Sequence, residues 1–171
     1  MVSIVIRQAQ DADLPALYAL LRELGFHKEQ GYFERCLAEQ REGRRQVFIA
    51  ALDGTDAAFG MLNWQPQYAL YRKLGMPEIQ DLNVVPRARR QGIASALIAY
   101  CENLAREKNC EHAGISVGLY ADYGPARRLY VKLGYVPDGY GVTYDRAPVS
   151  PGEIRPVDDN LCLMMVKELK D

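Results

Sequence analysis

Residues 77–108 join a strand to the longest helix that the sequence predicts, and this unit constrains the fold more than any other stretch. Residues 77–85 have the pattern of a strand, which Pro86 closes. Residues 92–108 then carry apolar side chains at helical spacing: Ile93, Leu97, Tyr100, Cys101 and Leu104. A strand that leads within a few residues into an amphipathic helix restricts the chain to folds that combine sheets with helices.

The rest of the chain alternates between strand and helix in the same way. The patterns predict further strands over residues 3–9, 46–53, 57–65, 112–119 and 160–169. They predict further helices over residues 13–24, 32–43 and 125–135. Residues 68–76 fit either a helical turn or an ordered loop. Residues 138–159 hold three prolines and three glycines, which indicates a loop. We therefore predict one α/β domain over residues 1–171, in the order β-α-α-β-β-β-α-β-α-β.

Composition and charge exclude several classes of function. The net charge of −1 gives no overall attraction to nucleic acid or to an anionic membrane. No apolar run reaches the roughly 18 residues that a membrane span needs, and the first ten residues are too polar for a signal peptide. The four scattered cysteines indicate buried or neutral thiols in a reducing cytosol rather than disulfides or metal ligands. We expect a cytoplasmic protein with no metal, no nucleic-acid partner and no membrane partner.

The start of helix 92–108 has the charge pattern of an anion site. A helix start usually attracts Asp or Glu, yet no carboxylate lies between Asp81 and Glu102, and the preceding turn carries Arg87, Arg89 and Arg90. Gly92 lets a ligand approach the backbone closely, where the first N–H groups of the helix point outward. The pattern indicates a phosphate or pyrophosphate ligand. The alternative is an ordinary surface helix with solvated arginines.

Two motifs in this chain resemble those of the GCN5-related N-acetyltransferase (GNAT) superfamily. The first is the acetyl-CoA signature, Leu-x-Val-x-Pro followed by [Arg/Gln]-x-x-Gly-x-[Gly/Ala], matched by Leu82, Val84, Pro86, Arg89, Gly92 and Ala94. The second is a late helix motif, matched by Ala126, Leu129, Tyr130, Leu133, Gly134 and Tyr135. The order of elements agrees over residues 3–136. Where the late motif often has Asn, three residues before its Ala, this chain has Tyr123.

The resemblance implies a fold and a co-substrate. The implied fold is a mostly antiparallel mixed sheet of six to seven strands flanked by about four helices, whose splayed central strands form the acetyl-CoA cleft. The CoA pyrophosphate would lie on N–H groups of residues 89–95, and the pantetheine arm would pair with the strand at Leu82 and Val84. The implied cofactor-binding residues are Leu82, Asn83, Val84, Arg89, Arg90, Gln91, Gly92, Ile93, Ala94 and Ser95. Leu82 and Val84 are also simply core residues in a structural interpretation.

The implied reaction moves an acetyl group from a thioester to an amine by direct attack. A strand N–H near Val84 would donate to the oxyanion, and Tyr130 matches the position of the family's usual general acid. The alternative is that Tyr130 is a core tyrosine on the apolar face of its helix. Counting back from the Arg-x-x-Gly motif, Glu78 lies where one branch of the superfamily keeps its catalytic base. Asp81 is the second candidate for this role.

Alternatives to a catalytic base also stand. Glu78 could be a solvated carboxylate at a strand end, and the period of two puts Asp81 on the opposite face from Glu78. Many family members work without a single dedicated base. His27 and His112 are better explained as structural residues.

The acceptor is the part of the reaction that the sequence leaves open. Six tyrosines within residues 120–144, with the carboxylates that follow, fit either a pocket for a cationic amine or a solvated loop. Polyamine, aminoglycoside, amino acid and protein amines all stay open, as does a homodimer. We expect an acetyl-CoA-dependent N-acetyltransferase acting on a small-molecule or peptide primary amine. The alternatives are a transferase for longer acyl-CoA donors and a non-catalytic CoA-binding sensor.

Overall fold

The computed structural model describes residues 1–170, in which strands and helices alternate as an α/β protein. Its strands are β1 Ile4–Gln8, β2 Arg45–Leu52, β3 Thr55–Asn63, β4 Glu78–Val84, β5 His112–Gly118, β6 Val136–Tyr144, β7 Ala147–Pro148 and β8 Leu161–Glu168. Its helices are α1 Leu14–Leu24, α2 Tyr32–Arg41, α3 Ala69–Lys73, α4 Ile93–Glu107 and α5 Gly124–Lys132. The α/β class predicted from the sequence is confirmed.

The chain divides into two compact units. Unit 1 comprises Met1–Trp64 and Ile79–Asn103, and unit 2 comprises Gln65–Glu78 and Leu104–Asp171. A single functional domain over residues 1–171 stays a prediction.

Unit 1 places its strands in the order β1-β2-β3-β4. Strands β1, β2 and β3 are antiparallel neighbours, and Asp53 and Gly54 form the β2–β3 turn with φ of 49° and 81°. These positive angles suit a tight hairpin between the two strands that the sequence predicted over residues 46–53 and 57–65. The core lies between this sheet and the helices. There the rings of Phe33 and Phe59 pack edge to face, with their centroids 5.4 Å apart.

Unit 2 is built around strand β8. Strand β8 pairs antiparallel with β5 on one side and with β6 on the other, and β6 continues into β7. Helix α3 anchors onto these strands through Tyr71, whose hydroxyl donates to the Met165 carbonyl at 2.5 Å. The Tyr71 ring lies over Gly114, where a Cβ atom would come within 2.3 Å of the ring. This close approach requires glycine at residue 114.

The interpretation of residues 138–159 as a loop is wrong for their first part. Residues 136–144 form β6, although Gly139 and Gly141 have φ of 85° and 84°. The pairing of β6 with β8 shifts register between Pro137 and Val142, so the glycines lie in an irregular segment of a strand. The strand continues because a bulge tolerates the residues that normally indicate a turn.

The structure also describes the cysteines, the groups that could ligate a metal and the lengths of the helices. Cys36, Cys101 and Cys162 are buried and Cys110 is half-buried, and all four are free thiols. Across residues 1–170, no three His, Cys, Asp or Glu side chains are grouped as a metal site would need. No helix in that range is both long and apolar enough to cross a membrane. A cytoplasmic location stays a prediction.

Candidate active site

The connection from β4 to α4 in unit 1 has the backbone geometry of an anion site. A short 3-10 turn, Pro86–Ala88, leads to Arg90 and Gly92, whose φ angles are +62° and +85°. The first hydrogen bond of the helix runs from the Ala96 N–H to the Gly92 carbonyl at 2.9 Å. The N–H groups of residues 93–95 therefore precede the helical ladder and point out of the helix start. No acidic residue occupies this first turn.

Gly92 has two properties that bear on a ligand. Its φ of +85° lies in the left-handed region, which side chains with a Cβ rarely adopt. A Cβ built on Gly92 would meet no heavy atom within 4 Å, so the space over this backbone is open. The sequence predicted a glycine here for close approach, and the backbone conformation adds a second requirement for it.

The structure separates three arginines that look alike in the sequence. Arg87 pairs with Glu23 at 2.8 Å and donates to the Asp56 carbonyl at 2.7 Å, so it braces the surface of unit 1. The Nε of Arg89 donates to the Val84 carbonyl at 3.1 Å and so folds back on the end of β4. Arg90 is exposed beside Gly92. Arg89 and Arg90, but not Arg87, are therefore placed to add charge at the helix start.

Strand β4 has an irregular backbone at Asp81. This residue has φ of +49°, an angle that a residue other than glycine rarely adopts within a strand. Such an angle in a strand interior is typical of a β-bulge, and Asp is among the residues that tolerate it. The alternation of side chains is interrupted here, so the period-of-two argument that separated Glu78 from Asp81 loses its basis. The next residue, Leu82, packs over Gly60 of β3.

Asp81 is paired with a lysine from the segment that joins α1 to α2. The Nζ of Lys28 lies 3.1 Å from Asp81 Oδ1, and the two side chains keep 29% and 22% of their surface exposed. The same Nζ lies 4.6 Å from the centre of the Tyr32 ring, a cation–π contact. Sequence reasoning gave no role to Lys28, because only the fold brings residues 28 and 81 together.

Glu78, in unit 2, occupies a different environment. Its side chain is 0% exposed, so the alternative of a solvated strand-end carboxylate is wrong. Arg146 donates to Glu78 Oε1 at 2.9 Å and to Ser116 Oγ at 3.2 Å. A buried carboxylate needs such a partner, because burial strongly penalises an unpaired charge. Sequence reasoning gave no role to Arg146.

Tyr130 lies on α5 of unit 2 and is only 7% exposed. Burial raises the pKa of its hydroxyl to about 12, so Tyr130 holds its proton throughout the neutral range. The ring also packs near Tyr135, with centroids 6.3 Å apart. Tyr130 is thus well packed as well as protonated, and its role as a general acid stays a prediction.

The tyrosines and carboxylates of the later segment bond to one another. Tyr120 and Tyr123 both donate to Asp159 Oδ1, the second at 2.9 Å. Tyr144 donates to Asp158 Oδ2 at 2.7 Å. The bond from Tyr144 lowers the pKa of the Asp158 carboxyl. Burial, followed by the bond to Asp159, raises the pKa of the Tyr123 hydroxyl. The arrangement gives these carboxylates a structural use, and a pocket for a cationic amine in this segment stays a prediction.

Comparisons with known proteins agree with the two motifs and with the fold. Residues 10–135 match the Acetyltransferase (GNAT) family. The chain belongs to this family. Aminoalkylphosphonate N-acetyltransferase of Salmonella typhimurium (strain LT2) is 29% identical over 132 residues, which cover 76% of this chain and 83% of that protein.

Solved structures of the GNAT family share the fold. A putative GNAT acetyltransferase from Desulfovibrio desulfuricans superposes with a TM-score of 0.73 at 16% identity, covering 98% of this chain and 100% of that one. PaiA N-acetyltransferase from Thermoplasma acidophilum, solved in complex with coenzyme A, has a TM-score of 0.65 at 17% identity, covering 97% and 99%. This GNAT chain has the fold and the enzyme class, N-acetyltransferase, that the sequence predicted.

Proposed function

We propose that this GNAT protein transfers the acetyl group of acetyl-CoA to a small primary amine, by direct attack in a ternary complex. The observation that carries the proposal is the helix start of α4. Left-handed Arg90 and Gly92 lead the chain into the helix, and the space over Gly92 is open. The N–H groups of residues 93–95 precede the helical ladder, and no acidic residue competes in the first turn. This is the chemistry that a pyrophosphate requires.

The residues around this start fit coenzyme A. The N–H groups of Ile93, Ala94 and Ser95 would hold the pyrophosphate, and Arg89 and Arg90 would add positive charge. The turn residues Gln91 and Gly92 would line the same site, while Leu82, Asn83 and Val84 of β4 would hold the pantetheine arm. When bound, the thioester supplies an acetyl carbon that an uncharged amine can attack.

The base that deprotonates the amine is better sought at Asp81 than at Glu78. An acceptor amine arrives as an ammonium ion and must lose a proton before it attacks. Asp81 is partly exposed and pairs with the surface lysine Lys28, an arrangement that exchanges easily. Glu78 is fully buried against Arg146 and can reach an amine only after that ion pair opens. We assign the base role to Asp81, with Glu78 as the second candidate.

Tyr130 is the proposed proton donor to the departing sulfur. A phenol with a pKa of about 12 gives up its proton readily only to a thiolate whose own pKa is raised. Burial has this effect on thiols, and it raises the pKa of Cys101 in unit 1 of this protein to about 12. A desolvated CoA thiolate would therefore be basic enough to take the Tyr130 proton.

Calorimetry with CoA and a thiol-release assay test the proposal together. The amine panel should include a polyamine, an aminoglycoside, an amino acid, a peptide amine and an aminoalkylphosphonate, the last because a relative carries that name. Thiol release with acetyl-CoA and one of these amines supports the proposal. Release only with longer acyl-CoA donors favours the first alternative. CoA binding without release from any donor favours the sensor, and no CoA binding contradicts the assignment of the site.

A further inference from the structure

Lys28 is a primary amine held beside the candidate base. Its Nζ lies 3.1 Å from Asp81 Oδ1, so the lysine occupies the place where an acceptor ammonium would give up its proton. Asp81 immediately precedes Leu82, the first β4 residue assigned to the pantetheine arm. Consecutive Cα atoms are only about 3.8 Å apart, so an amine at Asp81 is within reach of a thioester held on β4.

The contacts of Lys28 restrain it without burying it. The ammonium lies over the Tyr32 ring, 4.6 Å from its centre, while 29% of the side chain stays exposed. A lysine in such a surface ion pair leaves and re-forms the pair easily, because exposed pairs gain little from their mutual attraction. Lys28 can therefore shift its Nζ by a short distance toward β4 without disturbing the core.

Lys28 is also distinct in its position along the chain. The sequence has six lysines, and Lys28 alone belongs to unit 1, which carries the proposed CoA site. The other five belong to unit 2: Lys73, Lys108, Lys132, Lys167 and Lys170. These five lysines report the background reaction of acetyl-CoA with any exposed amine.

We propose that Lys28 is a self-acetylation site, which the enzyme modifies with its own acetyl-CoA when no external amine is present. This inference rests on the proposed function. The Nζ ammonium of Lys28 gives one proton to Asp81 Oδ1, which passes it to water. The freed nitrogen lone pair then attacks the thioester carbon, the N–C bond forms, and the C–S bond breaks with its electron pair leaving on sulfur. The nitrogen then loses its second proton to water, which leaves a neutral amide, and a proton from the general acid or from solvent completes free CoA.

The modification changes the charge of this segment. An acetylated Lys28 carries a neutral amide, so it loses both the ion pair with Asp81 and the cation–π contact with Tyr32. The Asp81 carboxylate then has no lysine partner when an external amine arrives. Self-acetylation would thus alter the candidate base directly.

The test incubates the full chain with acetyl-CoA alone and measures the acetylation rate of each lysine by peptide mass spectrometry. Lys170 is the matched control, because its Nζ also pairs with a carboxylate, Glu168 Oε1 at 2.8 Å, and its side chain is 79% exposed. Asp81→Asn removes the proton acceptor, and Asn tolerates the same left-handed backbone. Lys28→Arg keeps the positive charge and removes the reactive amine.

We expect Lys28 to be modified well ahead of the more exposed Lys170, with a rate constant independent of protein concentration. Asp81→Asn should slow the Lys28 reaction by about 10²-fold, the lower range for loss of a general base, and leave Lys170 unchanged. Equal rates at Lys28 and Lys170, or a Lys28 rate constant that rises with protein concentration, would overturn the inference.

The same preparation separates failure of the inference from failure of the proposed function. CoA binding and amine-dependent thiol release are measured in parallel with the lysine rates. If both are intact and Lys28 reacts no faster than Lys170, self-acetylation is wrong and the proposed function stands. If CoA does not bind and no amine releases thiol, the proposed function is wrong, and the inference that rests on it is wrong as well.

Discussion

The guanidinium of Arg146 donates a 2.9 Å hydrogen bond to the fully buried carboxylate of Glu78, 68 residues away in sequence. Arg146 reaches it from the β6–β7 turn, where Asp145 and Arg146 have φ of 49° and 61°. Two successive left-handed residues define a tight hairpin that normally selects Asn or Gly. An arginine here is costly for the backbone, and its contact with Glu78 offers a physical reason for it.

Removing Arg146 should destabilise the protein strongly. Arg146→Met removes the cationic partner of the buried Glu78 carboxylate, a change that typically costs about 3–5 kcal/mol. Adding Glu78→Gln should recover a large part of this loss, because a neutral amide tolerates burial better than a carboxylate. Urea unfolding of the parent, both single variants and the double variant measures the coupling. A loss below about 1 kcal/mol in Arg146→Met would contradict the importance of this pair.

Gly92→Val should weaken CoA binding. Valine is strained at φ of +85°, and its side chain would fill the open space over the α4 start. We expect CoA affinity to fall by at least about tenfold, or 1.4 kcal/mol, in calorimetry. Gly31→Val is the matched control, because Gly31 also precedes a helix, has φ of +76° and has no heavy atom near its Cβ position. Equal CoA affinity in the parent and Gly92→Val would mean that the site is misplaced.

Tyr130→Phe should lower kcat by about 10²–10⁴-fold while CoA affinity changes little, since only the proton donor is lost.

Tyr71→Phe is the control for this prediction. It removes a buried hydroxyl that bonds to the Met165 carbonyl, so it should cost about 1–3 kcal/mol of stability and leave kcat near the parent value. Tyr123 is engaged with Asp159, and we expect Tyr123→Phe to add nothing to Tyr130→Phe. Parent turnover in that double variant would exclude a tyrosine acid.

Stability should fall on the alkaline side because of Cys101. Burial raises the pKa of this thiol to about 12, whereas an unfolded cysteine titrates near about 8.5. The folded state therefore keeps the Cys101 proton up to a higher pH than the unfolded state does. The free energy of unfolding gained from this difference is fully present below pH of about 8.5. This gain is lost as pH rises toward 12, by up to about 1.4 kcal/mol per pH unit.

Urea unfolding of the parent and Cys101→Ala at pH 7, 9 and 10 checks this prediction. The variant loses some packing at every pH, so the measured quantity is the change of stability with pH. The decline between pH 9 and 10 should be shallower in Cys101→Ala than in the parent. Cys110→Ala removes a half-buried thiol whose pKa burial raises less, so it should change the decline less than Cys101→Ala does. Parallel slopes in the parent and Cys101→Ala would contradict the assigned cause.

Local patterns predicted most of the elements, and their failure at β6 has a clear cause. Helix α4 was predicted within one residue at each end, because its apolar spacing and its glycine start are local features. Strand β6 was missed because Gly139 and Gly141 indicate a turn locally. Its pairing with β8, a segment about twenty residues further along the chain, overrides that preference.

The sequence by itself determined the family, the strand–turn–helix at residues 77–108 and the charge pattern of the α4 start, because these depend on residue identity and short spacing. Only the tertiary structure decided the partners of the charged side chains. It placed Arg146 on Glu78 and Lys28 on Asp81, and it put the left-handed angle of Asp81 inside β4. These contacts join residues more than fifty positions apart, and pairings at that separation depend on how strands and loops pack rather than on any local pattern.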